Sequence, residues 1–257
     1  MLYKINSLQY PDFIEKAHSH DCGCVYPLSV AEGIQEGDIF TNSLKDYEKV
    51  LFWVHSGFAY LSGNIDTYFL KDIYEFMLDR NQSNTKRFLL MTRNENIQDY
   101  FRSKDDVMEE KRYLFQYSGA KGSIESYLPD GYELKEINQQ LIKEISGKIV
   151  PSLFWNNVYD FLEKGKGYCI TCNNDIASWA FSAAVSSKEI DIGIETRPKY
   201  KQQGLGMMVA NKMIQYTIEQ AKQPVWACHY KNAASKKMAE KLGFIKVSEC
   251  SVIKKWC

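Results

Sequence analysis

The 257-residue sequence predicts an α/β (α+β) fold arranged in two domains. Apolar runs that suit strands, such as Glu189–Glu195, occur in both halves of the chain, and segments with helical spacing lie between them. The stretch SGAKGSIESYLPDG separates the halves, because it is rich in Gly, Ser and Lys and contains the turn signal Pro-Asp-Gly. We therefore expect a smaller α/β N-terminal domain at residues 1–125 and a second domain at residues 126–257.

The first half has no chemical signature that we can interpret. Leu51–Val54 and Phe58–Leu61 predict two short strands, and Thr67–Leu78 has the apolar spacing of a helix. The later elements of this half are a buried strand, a short helix and another strand, at Arg87–Met91, Asn94–Phe101 and Arg112–Tyr117.

The second half has a clearer order. Tyr132–Ile137 alternates as a strand, and two helices follow at Asn138–Ser146 and Ser152–Glu163. The remaining pattern is three strands, a long helix, a strand, a helix and one or two strands, at Gly167–Thr171, Ala177–Ser186, Glu189–Glu195, Gly204–Lys222, Val225–Tyr230, Asn232–Leu242 and Phe244–Trp256. In the long helix the apolar face is predicted to consist of Met207, Ala210, Ile214, Ile218 and Ala221.

The segment TRPKYKQQGLGMM, Thr196–Met208, lies between a predicted strand and the long helix. Helix N-termini have unpaired N–H groups and a partial positive charge, and glycines let a phosphate approach them closely. A P-loop is excluded because no Gly-Lys-Ser/Thr ends the segment. The dinucleotide pattern GxGxxG fails because Val209 stands at the third glycine.

From about Leu128 to Cys257 the chain resembles the GNAT superfamily of acyl-CoA-dependent N-acetyltransferases. The resemblance rests on IDIGIETRPKYKQQGLG, on the long helix followed by VWACHY, and on NAASKKMAEKLGF, in this order and spacing. It looks like a subgroup with an extra N-terminal domain. The family likeness implies a mixed, mostly antiparallel sheet flanked by helices, and acetyl-CoA as the co-substrate.

The resemblance also implies residue roles. The backbone of Ile194, Glu195 and Thr196 would pair with the pantetheine arm, with the Thr196 amide facing the thioester carbonyl. Asn232 would meet the pantetheine region, with Ser235 nearby. The pyrophosphate would be held by Lys201, Gln202, Gln203, Gly204, Leu205, Gly206 and Met207. Lys201 stands where the family usually has Arg or Gln, so it would act as a point charge without bidentate geometry.

At the positions of the catalytic groups the sequence departs from the family pattern twice. Ala239 occupies the position of a tyrosine that protonates the leaving thiolate in many members, and Ala227 occupies that of a strand carboxylate. Glu195 is our first candidate for the base, since it shares one strand face with Glu189 and Asp191 near the expected thioester. His229, on the same face as Ala227, is the second candidate.

The acceptor is expected to be a small-molecule amine bound against the first two helices of the second half, where SLFWNNVYDFL supplies Phe154, Trp155, Tyr159 and Phe161. These aromatic residues also suit a core. A non-catalytic module that binds CoA or a related ligand is the alternative function. A third interpretation makes the first half an interaction domain, which leaves a homodimer open.

The amino-acid composition limits the classes of binding partner that we expect. The 32 basic and 32 acidic residues balance, and there is no basic block, so we expect neither nucleic acid nor a membrane as partner. The sequence shows no secretory signal, and its seven cysteines suggest reduced thiols in a cytoplasmic protein. His18, His20, Cys22 and Cys24 cluster, but their spacing matches no standard zinc pattern, so we predict no metal.

Overall fold

The computed structural model describes residues 1–18, 20, 22–45, 47–79, 87–119 and 127–255. The chain divides into two compact units. The first contains Met1–Leu114, His229–Lys231 and Ser248–Cys257, and the second contains Phe115–Cys228 and Asn232–Val247. The segment predicted to join the domains lies partly outside the described residues.

The elements follow one another in a regular order. From Met1 to the end of the first half they are β1 (Tyr3–Lys4), α1 (Ile14–His18), α2 (Val25–Ala31), β2 (Gly37–Thr41), β3 (Lys49–Val54), β4 (Phe58–Gly63), α3 (Thr67–Leu78), β5 (Leu89–Thr92), α4 (Glu95–Arg102) and β6 (Val107–Tyr117). Those of the second half are β7 (Tyr132–Glu136), α5 (Leu141–Glu144), α6 (Val158–Lys164), β8 (Gly167–Cys172), β9 (Asp175–Val185), β10 (Glu189–Thr196), α7 (Leu205–Glu219), β11 (Gln223–His229), α8 (Ala233–Lys241) and β12 (Phe244–Lys255).

The first unit is built on strands in the order β1-β2-β3-β4-β5, followed by the part of β12 that pairs with β5. The strands β1 to β4 pair antiparallel, whereas β5 lies parallel to β4. Helices α3 and α4 pack their apolar sides on this sheet, with Phe69, Ile73 and Phe101 in the same core as Trp53 and Leu90. Burial of these side chains is the main stabilising contribution of the unit.

In the second unit the strand order is β11-β10-β9-β8-β7. The pairs from β7 to β10 are antiparallel, and β11 lies parallel to β10. Helix α7 packs on β8, β9 and β10. The predicted α/β class and the mixed, mostly antiparallel sheet flanked by helices are therefore confirmed.

The two units repeat one arrangement. An antiparallel hairpin, a helix, a parallel strand, a second helix and a last strand occur as β3-β4-α3-β5-α4-β6 and as β9-β10-α7-β11-α8-β12. Even the register agrees. The first parallel pair is Phe58 with Leu89 in one unit and Glu189 with Gln223 in the other, and each second helix has an asparagine N-cap. The first half thus contains the same strand and helix order as the second.

Two predicted helices of the second half are shorter in the structure. Asn138–Ser146 reduces to the single turn of α5, and Ser152–Glu163 becomes a 3-10 turn, Pro151–Leu153, followed by α6. Asn157 interrupts the second one, because its side chain accepts the amide of Asp160 and so starts a new helix there.

The face of α7 that is buried also differs from the prediction. Val209, Met213 and Thr217 are fully buried, whereas Ile218, predicted to face the core, is 49% exposed. The cause is that residues 207–210 are all apolar, so a spacing of three or four residues fits more than one face.

The cysteine expectation is wrong for one pair. Cys22 and Cys250 form a disulfide, with Cα atoms 5.9 Å apart, although 228 residues separate them in sequence. Sequence spacing gave no sign of the pair, because β12 returns to the first unit only in the folded chain. His20 Nδ1 accepts the amide of Cys22, and the described residues contain no group of three or more potential metal ligands.

Among the described residues, no helix is both long enough and apolar enough to cross a membrane.

Candidate active site

The candidate site lies where β10 and β11 part. These strands pair from Glu189–Gln223 to Asp191–Val225, and within the described residues no later pair joins them although β10 continues to Thr196. A bulge between Asp191 and Ile192 marks the point of separation. On its other side β10 stays paired with β9 as far as Thr196. Backbone groups of Ile192–Thr196 that point toward β11 are therefore presented to a ligand rather than to a strand.

The glycine loop, residues 201–206, follows β10 and runs into the first turn of α7. Gly204 has φ of 78° and Gln202 has φ of 65°, so the chain passes twice through the left-handed region before α7 begins. Within the described part of the chain, the amides of Gln203, Gly204, Leu205 and Gly206 donate to no acceptor. These are the orphan donors of a helix start, and they favour an anion.

Gly206 connects the loop to the end of β10. A Cβ atom at this position would lie 3.1 Å from Thr196 Oγ1 and 3.1 Å from Met238 Cε. The missing side chain therefore lets the strand end, the helix start and α8 approach one another. The Thr196 hydroxyl is held in turn by Ser178, whose Oγ lies 2.8 Å from it. The structure thus brings together Ile194, Thr196 and Gly206, three of the residues predicted to bind the cofactor.

The basic residues beside the loop differ in their partners. Asp175 binds Arg197, the Lys199 ammonium at 2.5 Å and the Tyr200 hydroxyl at 3.1 Å. The hydrogen bond from Lys199 is the main cause that holds the pKa of Asp175 below its ordinary range. Lys201, by contrast, has no ion-pair partner among the described residues. Its charge is consequently available to an anion at the start of α7.

Gln203 and the two residues of α8 are already partly engaged. Gln203 accepts the Tyr132 hydroxyl at 2.6 Å. Asn232 is the N-cap of α8, since its Oδ1 accepts the amide of Ser235 at 3.1 Å, and Ser235 Oγ accepts the indole N–H of Trp226 at 3.0 Å. Asn232 therefore fixes the start of α8, and its exposed amide nitrogen points to no described partner.

Glu195 is anchored to the loop before α6. Its Oε2 accepts the amides of Lys148 and Ile149, each at 2.7 Å. Ile149 is held a second time, because its carbonyl accepts the indole N–H of Trp179 at 2.8 Å. One carboxylate oxygen is thus occupied, and Oε1 has no hydrogen-bond partner within the described residues. This arrangement leaves one oxygen in a fixed position to receive a proton.

His229 belongs to the first unit. Its Nε2 lies 3.6 Å from Glu110 Oε2, and its Nδ1 accepts the amide of Lys231 at 3.2 Å. Glu110 also binds Lys254 at 2.8 Å, which is the main cause that lowers the pKa of the Glu110 carboxyl. Because both ring nitrogens face a partner, neutral His229 has no lone pair directed at a substrate.

The two positions where the family likeness puts an acid and a base are occupied by alanine. Ala239 is fully buried, so no side chain of α8 at that position reaches a thiolate. Two other features of the site lie outside the set of predicted site residues. Asp191, only 6% exposed, stands at the separation of β10 and β11, and Gly147 packs against Glu195. Strand alternation pointed to Asp191, whereas nothing in the sequence linked positions 147 and 195.

Comparison with known proteins adds the family. A family model described as GNAT acetyltransferase matches residues 21–253. A curated relative, the uncharacterized N-acetyltransferase YdfB of Bacillus subtilis (strain 168), is 24% identical over 231 residues, which cover 88% of each chain.

Solved structures show the same fold. A GCN5-related N-acetyltransferase-like protein from Streptococcus suis 89/1591 superposes with a TM-score of 0.76 at 20% identity, covering 98% of this chain and 100% of that one. A tandem GNAT protein from the clavulanic acid biosynthesis pathway superposes with a TM-score of 0.64 at 8% identity, covering 100% of this chain and 98% of that one.

Proposed function

The chain belongs to the GNAT acetyltransferase family, and on that premise we propose that it transfers the acetyl group of acetyl-CoA to the amine of a small molecule. The observation that carries the proposal is the separation of β10 from β11 after Asp191, directly beside the orphan amides at the start of α7. An extended ligand arm with an anion at one end fits this arrangement, because strand-like backbone groups and a helix N-terminus adjoin.

The residues present suit such a co-substrate. The amides from Gln203 to Gly206 and the Lys201 ammonium would hold the pyrophosphate. The backbone of β10 beyond the bulge would pair with the pantetheine arm, and Asn232 would meet it from α8. Thr196 would direct its amide at the thioester carbonyl, where a donor fixed before the reaction stabilises the developing oxyanion.

The reaction is direct attack within a ternary complex. The neutral amine nitrogen forms a bond with the carbonyl carbon, and the carbon–sulfur bond breaks. Glu195 is our proposed base: it receives the proton of the amine through Oε1, directly or by way of water, while Oε2 stays bound to the loop amides. The CoA thiolate then takes up a proton, for which water is the donor that fits a site with Ala239 in place of tyrosine.

A second candidate function is a regulatory module that binds CoA or a related ligand without turnover. It is favoured by the alanines at positions 227 and 239, which leave the site without the two side chains that the family likeness implies. Under this alternative Glu195 would serve only to anchor the loop at Lys148 and Ile149.

The distinguishing experiment is thiol release from acetyl-CoA with a panel of amines, combined with calorimetry of cofactor binding. Amine-dependent release that Glu195→Gln abolishes supports the enzyme. Saturable acetyl-CoA binding without release by any amine supports the regulatory module. Absence of binding at millimolar acetyl-CoA would exclude both.

A further inference from the structure

A cavity of about 300 Å³ lies in the second unit beside α5 and α6. This volume is at the lower end of the range for small-molecule sites, so it suits a compact ligand and not a protein segment. Most of its wall is apolar, including Ile145, Val150, Trp155 and Phe161. Phe154 and Tyr159 do not line it: Phe154 packs on Phe181, and Tyr159 is 73% exposed.

The aromatic wall is rigid. Trp155 donates its indole N–H to the carbonyl of Ser182 at 2.8 Å, and its ring lies edge-on to that of Phe161, with centroids 5.8 Å apart. A Cβ atom at Gly165 would lie 2.9 Å from Trp155 Cζ2, so the backbone of this glycine packs closely on the indole. A fixed aromatic surface of this kind binds a planar or branched apolar group with little ordering cost.

The cavity adjoins the candidate active site through one loop. The backbone amides of Lys148 and Ile149 donate hydrogen bonds to Glu195. The next two residues, Val150 and Pro151, line the cavity. A second connection runs through the core. Phe161 packs on Phe181, and a Cβ atom at Gly193 of β10 would lie 2.9 Å from Phe181 Cζ. A molecule in the cavity therefore lies beside the loop that holds Glu195, with Phe161 and Phe181 between it and Gly193 of β10.

Charge decides which molecule fits. Among the residues that line the cavity, all within the described part of the chain, Lys143 is the one charged residue, and none is a carboxylate. Lys143 has no ion-pair partner among the described residues, and its side chain lies at the exposed rim. A polycationic amine finds no counter-ion in this lining, whereas an anionic group finds an ammonium.

Resting on the proposed acetyl transfer, we propose that the acceptor is a primary amine that combines an aromatic or branched apolar group with a carboxylate, as apolar amino acids do. The apolar group occupies the cavity against Trp155 and Phe161, the carboxylate meets Lys143 at the rim, and the amine points toward Glu195. Polyamines and aminoglycosides are excluded as preferred acceptors by the same lining.

The test compares phenylalanine, phenethylamine, which lacks the carboxylate, and spermine. We expect phenylalanine to be the best acceptor of the three. Lys143→Met should raise the KM for phenylalanine about tenfold with little change in kcat, the loss expected for one charge-assisted contact. The same variant should leave the KM and kcat for phenethylamine unchanged. Lys188→Met, at the far turn of the β9–β10 hairpin, is the matched control and should change the kinetic constants for neither substrate.

Binding of phenylalanine is measured separately by NMR titration, without acetyl-CoA, in the wild type, Lys143→Met and Trp155→Phe. Binding that both variants weaken supports the cavity assignment even if no turnover occurs, in which case only the proposed acetyl transfer fails. Preference for spermine, equal use of phenylalanine and phenethylamine, or phenylalanine binding that Lys143→Met does not weaken would overturn the assignment.

Discussion

Gly147 packs so closely on Glu195 that a Cβ atom at position 147 would stand 2.5 Å from the carboxylate oxygen Oε2. That oxygen is the one that accepts the two loop amides. The absence of a side chain at one residue therefore leaves room for the carboxylate of another that lies 48 positions further along the chain. The two amide hydrogen bonds orient the candidate base, and they need the space that glycine leaves at position 147.

Gly147→Ala should displace the Glu195 carboxylate and break at least one of its hydrogen bonds to the backbone amides of Lys148 and Ile149. Because the displaced carboxylate is the proposed base, whereas the groups proposed to hold the pyrophosphate lie at the start of α7, kcat should fall about tenfold or more while acetyl-CoA affinity changes less than about threefold. Steady-state kinetics and calorimetry measure the two effects. Ser146→Ala, one exposed position earlier, is the control. Equal kcat values for the two variants would show that the contact does not matter for turnover.

Glu195→Gln separates anchoring from proton transfer. The glutamine oxygen still accepts the amides of Lys148 and Ile149, but the side chain no longer takes a proton. We expect kcat to fall by about 10²-fold or more, with acetyl-CoA binding retained. His229→Gln should reduce kcat less than tenfold, because the imidazole nitrogens already face Glu110 and the Lys231 amide. A larger loss for His229→Gln would reverse our assignment of the base.

Lys201 is expected to contribute to cofactor affinity. Lys201→Ala should weaken acetyl-CoA binding about tenfold, the effect of losing one charge-assisted contact to phosphate. Lys199→Ala should weaken it less, since the Lys199 ammonium is held by Asp175. Calorimetric titrations compare the variants, and dephospho-CoA and pantetheine compare the ligands. The Lys201 effect should vanish with pantetheine, which has no pyrophosphate, and an effect that persists would argue against this contact.

The Asp175 cluster predicts a pH dependence of stability. The folded-state pKa of Asp175 lies below its ordinary value of 3.8, so the cluster stabilises the fold above that value. The contribution is lost as the pH falls through the folded pKa. Thermal unfolding of wild type and Asp175→Asn should therefore differ at about pH 6 to 7 and converge once the pH falls below the folded-state pKa of Asp175. A difference in stability that stays constant as the pH is lowered until the Asp175 carboxyl is protonated in the folded protein would contradict this prediction.

The repeated arrangement of the first unit leads to a prediction about stoichiometry. There, only Asn64, Ile65 and Asp66 connect β4 to α3, and no glycine lies in the connection. Asp66 caps the helix by accepting the amide of Phe69 at 2.9 Å and also binds Lys49 at 2.5 Å. A carboxylate at that helix start repels phosphate. Calorimetry should therefore give one acetyl-CoA per chain, and two would contradict this difference between the repeats.

The sequence predicted the parts of the fold where one signal dominates. The strands from Gly167 to Glu195 and the glycine loop were found because alternation, glycine spacing and helix start coincide there. The buried face of α7 was misplaced, since four successive apolar residues obscure the period. The Cys22–Cys250 disulfide was missed for another reason: its partners meet only through the path of β12.

Only part of the candidate site could be predicted from the sequence. Ile194, Thr196 and Gly206 stand together because strand, loop and helix start are contiguous in sequence. The environment of Glu195 was not predictable, because it depends on Gly147 and on a loop whose amides come from a different part of the chain. Strand alternation alone made His229 a candidate base, whereas its partners Glu110 and Lys254 come from distant parts of the sequence.

The most direct measurement is transfer itself: thiol release from acetyl-CoA, with mass spectrometric detection of the product, for wild type and Glu195→Gln across aromatic and branched amino acids. We predict an N-acetylated product that forms in equal amount to the released thiol, and loss of both in the variant while acetyl-CoA still binds. Binding of acetyl-CoA with no acetylated product from any amine would contradict an N-acetyltransferase.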